Sequence, residues 1–161
     1  YRMTERVVNV SSLQKYLVTT TDARDFQLML QNLCDKFFET EATSEVILKK
    51  EAPYSLAEFL TKLANEYKVR MEDKTQVQLF LRQIDKAISE MTVISLTLAI
   101  DPKETFIKAM QDWFMQQYQK LVLLDISVDQ SIIAGSIIQI HGKYHDYSLR
   151  KMLEEPTLQN V

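Results

Sequence analysis

Thr92-Val93-Ile94-Ser95-Leu96-Thr97-Leu98 is where the chain changes character. The segment is rich in β-branched residues, and its second half alternates polar with apolar, the pattern of a strand with one face buried. Before it, residues 1–91 contain no glycine; both glycines of the chain, Gly135 and Gly142, lie beyond it. Glycine in a helix interior costs roughly 1 kcal/mol against alanine. A glycine-free stretch rich in Leu, Gln, Lys and Glu therefore favours helices. Thr92 marks the passage from a helical part, 1–91, to a strand-rich part, 92–161.

Downstream, Asp101-Pro102 opens a helix, with proline near the first turn and Glu104 favourably set against the helix dipole. Its predicted apolar face is Phe106, Ile107, Met110, Trp113, Phe114 and Tyr118. Leu121 to Val128 reads as a second strand and Ser136 to Ile140 as a third. His141-Gly142 is a hairpin turn signal leading into Tyr144. Asp146 or Ser148 then caps a short last helix, with Leu149, Met152 and Leu153 expected to face inward before Pro156 stops it.

Upstream, three one-sided apolar stripes stand out. Phe26, Met29, Leu30, Leu33 and Phe37 share a face of a helix starting near Asp22. Leu56, Phe59, Leu60, Leu63 and Tyr67 repeat the pattern, as do Val77, Phe80, Leu81, Ile84, Ile88 and Met91. Helices apolar on one side pack as a bundle. Residues 4–18 lean to helix although their valines also suit a strand, and 43–50 read as a helical turn. The fold class expected is α+β: an N-terminal helical bundle, then a small strand-helix-strand-hairpin part.

The 161 residues, 46% apolar and 25% charged, have the composition of a folded chain that buries a core. Net charge is −3 and evenly spread: 13 basic and 14 acidic side chains in 1–91, 6 and 8 in 92–161. Without a basic patch, nucleic acid and anionic lipid are not expected partners. No stretch approaches the ~20 apolar residues of a membrane span. The sequence begins at Tyr1 rather than methionine, as either a processed chain or one carrying leftover residues would.

Chemistry-bearing residues are few. His141 and His145 stand four apart, a metal-site spacing on a helix, but Gly142 places them across a turn. Cys34 lies beside the Leu30/Leu33/Phe37 stripe with no histidine near it in sequence, and reads as core filler rather than nucleophile. Asp125 and Asp129 flank the end of a strand, where turn and cap roles outnumber acid–base roles. Two glycines seven residues apart cannot write a phosphate-cradling loop. No catalytic residue, metal or cofactor is expected. The seven methionines suit core packing or a groove that accepts partner helices. A helical adaptor binding amphipathic helices is thus the reading that patterning alone allows.

Val128-Asp129-Gln130-Ser131-Ile132-Ile133-Ala134-Gly135 resembles the segment V-D-P-S-L-I-G-G of one family. Lys143, Asp146, Ser148, Arg150 and Leu153 fall at the spacing of that family's signature, a hairpin leading to D-x-S-x-R-x-x-L. The family is the delta subunit of F-type ATP synthases, the oligomycin-sensitivity-conferring protein of mitochondria. Gln130 and Ala134 depart from its usual proline and glycine, and the helical part is shorter than its six-helix bundle.

The resemblance implies a non-catalytic connector in the peripheral stalk. Residues 1–91 would dock on the N-terminal segments of the alpha subunits, and 92–161 would grip the b-type stalk subunits. The chain would resist rotor torque during proton-driven ATP synthesis. It would sit in a peripheral membrane complex without inserting into the bilayer, on the cytoplasmic side in bacteria or the matrix or stroma side in an organelle. Asp129, Gly135, Gly142, Asp146, Ser148, Arg150 and Leu153, the motif residues, would specify the fold rather than bind.

Overall fold

Thr19-Thr20-Thr21-Asp22 starts the first long helix with a reciprocal cap. In the computed structural model, which describes residues 8–154, the Thr19 N–H donates to the Asp22 carboxylate at 2.9 Å. The Asp22 N–H in turn donates to the Thr19 hydroxyl at 3.2 Å. This capping box satisfies two donors that a helix start otherwise leaves bare. The helices that follow are α1 (Thr20–Glu39), α2 (Ser44–Glu51), α3 (Tyr54–Glu66) and α4 (Lys74–Ser89).

The chain groups into two units. One comprises residues 1–12 and 24–90, the other 13–23 and 91–161. The change of period at Thr92 thus falls beside the second crossover into the strand-rich unit, while 13–23 join that unit from the far end of the sequence.

In the helical unit, each stripe becomes a buried face. Phe26, Leu30, Leu33 and Phe37 of α1, Leu56, Leu60 and Leu63 of α3, and Phe80, Leu81, Ile84 and Ile88 of α4 are buried; Met29 is half-buried. The Tyr67 and Phe80 rings meet at 5.8 Å. Asp73 caps α4, accepting from the Thr75 and Gln76 N–H groups at 3.1 and 3.2 Å. Polar stitches complete the packing: Gln78 donates to the Cys34 carbonyl at 2.9 Å, and Gln27 to Asp85 and Ser89 at 2.8 and 2.9 Å.

The strand-rich unit carries β1 (Thr92–Leu98), α5 (Glu104–Tyr118), β2 (Val122–Val128), β3 (Ser136–Ile140), β4 (Lys143–Asp146) and α6 (Leu149–Glu154). Sheet order is β2-β1-β3-β4, with β1 and β2 parallel and the other pairs antiparallel. The parallel pair needs a crossover, and α5 supplies it. Ile94, Phe114, Val122 and Leu124 form a core where α5 covers the sheet, with Ile107 and Met110 packed against it. Ala99, Ile132 and Ile137 form a second cluster. These six helices and the mixed four-stranded sheet make the α+β fold expected.

Three expectations are corrected. Of residues 4–18, the first four lie outside the described residues, and the rest hold a 3₁₀ turn at Val10–Leu13 rather than a helix. Asn9 accepts from the Ser11 N–H at 3.0 Å, a local bond that competes with helix. On α5, Phe106 and Trp113 are 44% and 51% exposed, and Tyr118 is exposed too. A single helix on a sheet buries a narrow stripe, here Ile107, Met110, Gln111 and Phe114, so aromatics beside it stay outside. On α6, Leu149, Met152 and Leu153 are exposed rather than inward. Six residues make too short a helix to bury a face, and its anchorage is polar.

Candidate docking surface

Five of the motif residues, Asp129, Gly135, Asp146, Ser148 and Arg150, converge on the junction between β2, β3 and α6. The Asp129 carboxylate accepts from the Ser131 N–H at 2.9 Å and caps a 3₁₀ turn over Gln130–Ile132. Arg150 reaches across from α6 and donates to the Ser131 hydroxyl at 3.0 Å. Asp146 accepts from the Ser148 N–H at 2.9 Å, while the fully buried Ser148 hydroxyl accepts from the Lys151 N–H at 3.2 Å to start α6. The Tyr147 and Leu149 N–H groups donate to the Ser136 and Ala134 carbonyls, each at 2.9 Å.

These bonds set the charges. The Ser131 hydroxyl, then its backbone N–H, holds Asp129 below the usual carboxylate range, with Arg150 adding to the effect. Ser148 does the same for Asp146, hydroxyl first, aided by Lys151 and Arg150. Both aspartates act as acceptors that hold backbone.

Gly135 sits where this junction is tightest. Its φ is +86°, and a Cβ there would run into the backbone carbonyl oxygen of Tyr147. Gly142 lies at the other end of the hairpin. With His141 at φ +48° and Gly142 at +76°, the two residues close β3 onto β4 with both central φ values positive, the turn that matches strand twist. Leu153 takes no part in the junction. His145 lies on β4 opposite Ile138 and stacks on Tyr147. Asp125 accepts from the Thr20 hydroxyl at 3.3 Å. Among the described residues, no three His, Cys, Asp or Glu side chains converge as a metal requires.

Between Asp129 and Gly135 the backbone does something the sequence does not announce. Ile133 has φ +70° and ψ −56°, and the Ala134 N–H donates to the Ile132 carbonyl at 2.8 Å. This is a γ-turn of the rarer, strained hand, on a β-branched residue that disfavours positive φ. Its effect is to point Ile132 inward, fully buried, and Ile133 outward, 56% exposed. Ile133 then lines a groove of about 530 Å³ with Leu98, Ile100, Pro102, Phe106 and Gly135. Period-based reading missed this groove, since Ile132-Ile133 looks like buried strand. The available signal was the apolar Ile100 stranded between the end of β1 and Asp101-Pro102.

The helical unit has a groove of about 560 Å³ of different chemistry. Arg24, Gln27, Gln31, Asp35, Arg82 and Asp85 line it, mostly polar side chains from α1 and α4. Cys34 is buried at its edge, and burial pushes the thiol pKa up against the opposing pull of Arg82. That thiol stays protonated at neutral pH and is a weak nucleophile.

A family model described as ATP synthase delta (OSCP) subunit matches residues 11–158, nearly the whole chain. The chain belongs to that family. No curated protein matches it. Membership makes the chain a peripheral-stalk, structural subunit of an F-type ATP synthase, serving ATP synthesis and ion transport, and displaces the unrelated-adaptor reading. In this delta-family chain, no helix among the described residues is long and apolar enough to cross a membrane.

Proposed function

We propose that this delta-family subunit joins the catalytic head to the b-type stalk helices and holds the head against rotor torque. In this reading the helical unit receives the N-terminal segments of the alpha subunits and the strand-rich unit receives the stalk. The complex would face the cytoplasm in bacteria, or the matrix or stroma in an organelle. The observation that carries the stalk assignment is the exposed apolar groove around Ile133, built on a strained turn. Strained backbone persists where the surrounding structure over-determines it, and it clusters at sites of function. Ile100, Phe106 and Ile133, with Leu98 buried beside them, offer an apolar surface to the i, i+3 and i+4 anchors of an amphipathic helix.

The test is titration calorimetry of the full chain against a b C-terminal peptide and an alpha N-terminal peptide. Ile133→Asp is expected to weaken the b peptide by tenfold or more, about 1.4 kcal/mol, and to leave the alpha peptide unchanged. Equal binding of the b peptide by wild type and variant, with the variant folded, would remove the groove from the interface.

A further inference from the structure

Leu149 and Arg150, consecutive residues at the start of α6, hold the chain on both sides of Ile133. Arg150 Nη1 donates to the Ser131 hydroxyl at 3.0 Å, two residues before it. The Leu149 N–H donates to the Ala134 carbonyl at 2.9 Å, one residue after it. Between these two fixed points the chain has to turn sharply. The Ile133 N–H closes back on the Gln130 carbonyl at 3.1 Å, and the Ala134 N–H on the Ile132 carbonyl at 2.8 Å. One residue further on, the Tyr147 carbonyl oxygen lies where a Cβ on Gly135 would stand. Packing does not account for α6. Its six residues include no buried one, and Met152 and Leu153 are each 69% exposed. What places it is its bonds to the two shoulders of the turn.

Resting on the reading of the Ile133 groove as the stalk site, we propose that α6 is a latch that keeps Ile133 turned outward, with Arg150 as its positioning residue. Arg150 and the start of α6 then serve docking through Ile133 rather than by touching a partner. An isoleucine avoids positive φ, because its branched Cβ crowds the following carbonyl. A γ-turn of this hand persists on such a residue where its surroundings hold it. Freed at either shoulder, Ile133 relaxes toward negative φ, and its side chain leaves the groove it lines with Ile100 and Phe106. Ile132, fully buried with Ala99 and Ile137, keeps its place and limits how far the change spreads.

Two variants of the full chain open the latch from opposite sides. Arg150→Met keeps an unbranched stem and lacks the donor. Leu149→Pro loses the N–H to Ala134 at the first position of a helix, where proline is tolerated. Each is expected to weaken a b C-terminal peptide about fivefold in calorimetry. The turn itself is read without peptide, by the nuclear Overhauser effect between a residue's own amide and Hα protons, strong at positive φ and weak at negative φ. In wild type it is expected to be strong at Ile133 and at Gln119, where φ is +70° and +54°. In both variants it is expected to weaken at Ile133 and to stay strong at Gln119. A weak effect at Ile133 in wild type, a strong one in both variants, or a parallel loss at Gln119 overturns the proposal. So does equal peptide affinity in wild type and both variants. A peptide that fails to bind wild type removes the stalk reading instead, and the Overhauser comparison then decides the latch alone. Should Arg150→Met not fold, Leu149→Pro decides on the same two readouts.

Discussion

At Gly135 two separate constraints exclude every other residue. Positive φ alone strains an L side chain, at roughly 1–2 kcal/mol. The Tyr147 carbonyl adds a clash with backbone, which cannot swing aside as a flexible side chain does. Gly142 meets only the first constraint, since nothing stands within 4 Å of its added Cβ. Gly135→Ala is therefore expected to cost about 3 kcal/mol or more and Gly142→Ala about 1 kcal/mol. At 2–4 °C per kcal/mol for a chain of this size, thermal melts separate the two by roughly 4 °C or more. Equal melts would mean that the Tyr147 contact relaxes. Asp146 makes a second claim at this scale. Its pKa is lowered in the fold, so its contribution is present above the unfolded carboxylate value, near 3.9, and is lost as pH falls through the folded value. Asp146→Asn keeps an acceptor oxygen but cannot titrate. Urea unfolding of this variant is expected to show a shallower loss of stability below about pH 4 than wild type. Parallel acid limbs would assign the effect elsewhere.

Helix starts show how much one side chain settles for an element. Asp73 bonds two N–H groups of α4, whereas Thr43, at the same position before α2, makes no side-chain cap bond. Asp73→Ala should destabilise the chain by about 1 kcal/mol, and Thr43→Ala by a few tenths at most. Chemical denaturation of both variants decides it; similar losses would show that cap bonding is not what holds α4. The elements were also where the sequence was most legible. Long one-sided stripes named α1, α3 and α4, and the β-branched run at Thr92 named β1, because burial of one face leaves a periodic trace. Shorter elements left less. Leu149, Met152 and Leu153 have helical spacing but belong to a helix pinned by Asp146, Ser148 and Arg150, bonds that no period encodes. Phe106 and Trp113 sit next to α5's buried stripe, and their apolar character signalled a surface where periodicity predicted core.

At the scale of the whole molecule, the two grooves differ in chemistry, and their ligands should differ in response to salt. Charges of both signs line the helical groove, through Arg24, Asp35, Arg82 and Asp85; apolar side chains dominate the one around Ile133. Between 0.05 and 0.5 M salt, binding of the alpha peptide is expected to weaken several-fold. The b peptide should change little and show a negative heat-capacity change. Calorimetry at both salt levels checks this, and the reverse order would exchange the partners between the units. The motif made Asp129, Gly135, Asp146, Ser148 and Arg150 legible as a group, though not why they belong together. That required the fold, which brings a cap, a close backbone approach and a serine-to-arginine bond to one junction. The γ-turn at Ile133 stayed hidden for the opposite reason, since its residue type argues against its conformation.

Residues 13–23 belong to the strand-rich unit, where Thr19 pairs with Leu124 of β2, and this has a consequence in time. A ribosome delivers residues 13–23 roughly a hundred residues before β2, and at about 5–20 residues per second the wait is on the order of ten seconds. During that interval Leu13 and Leu17, fully buried in the finished protein, wait for the rest of their unit. The helical unit, complete at Glu90, can close while the nascent strand-rich unit still lacks every one of its strands. The earlier-made part of the sheet's boundary is thus among the last to be used, and a chaperone watching this chain emerge would meet those two leucines well before β2 exists.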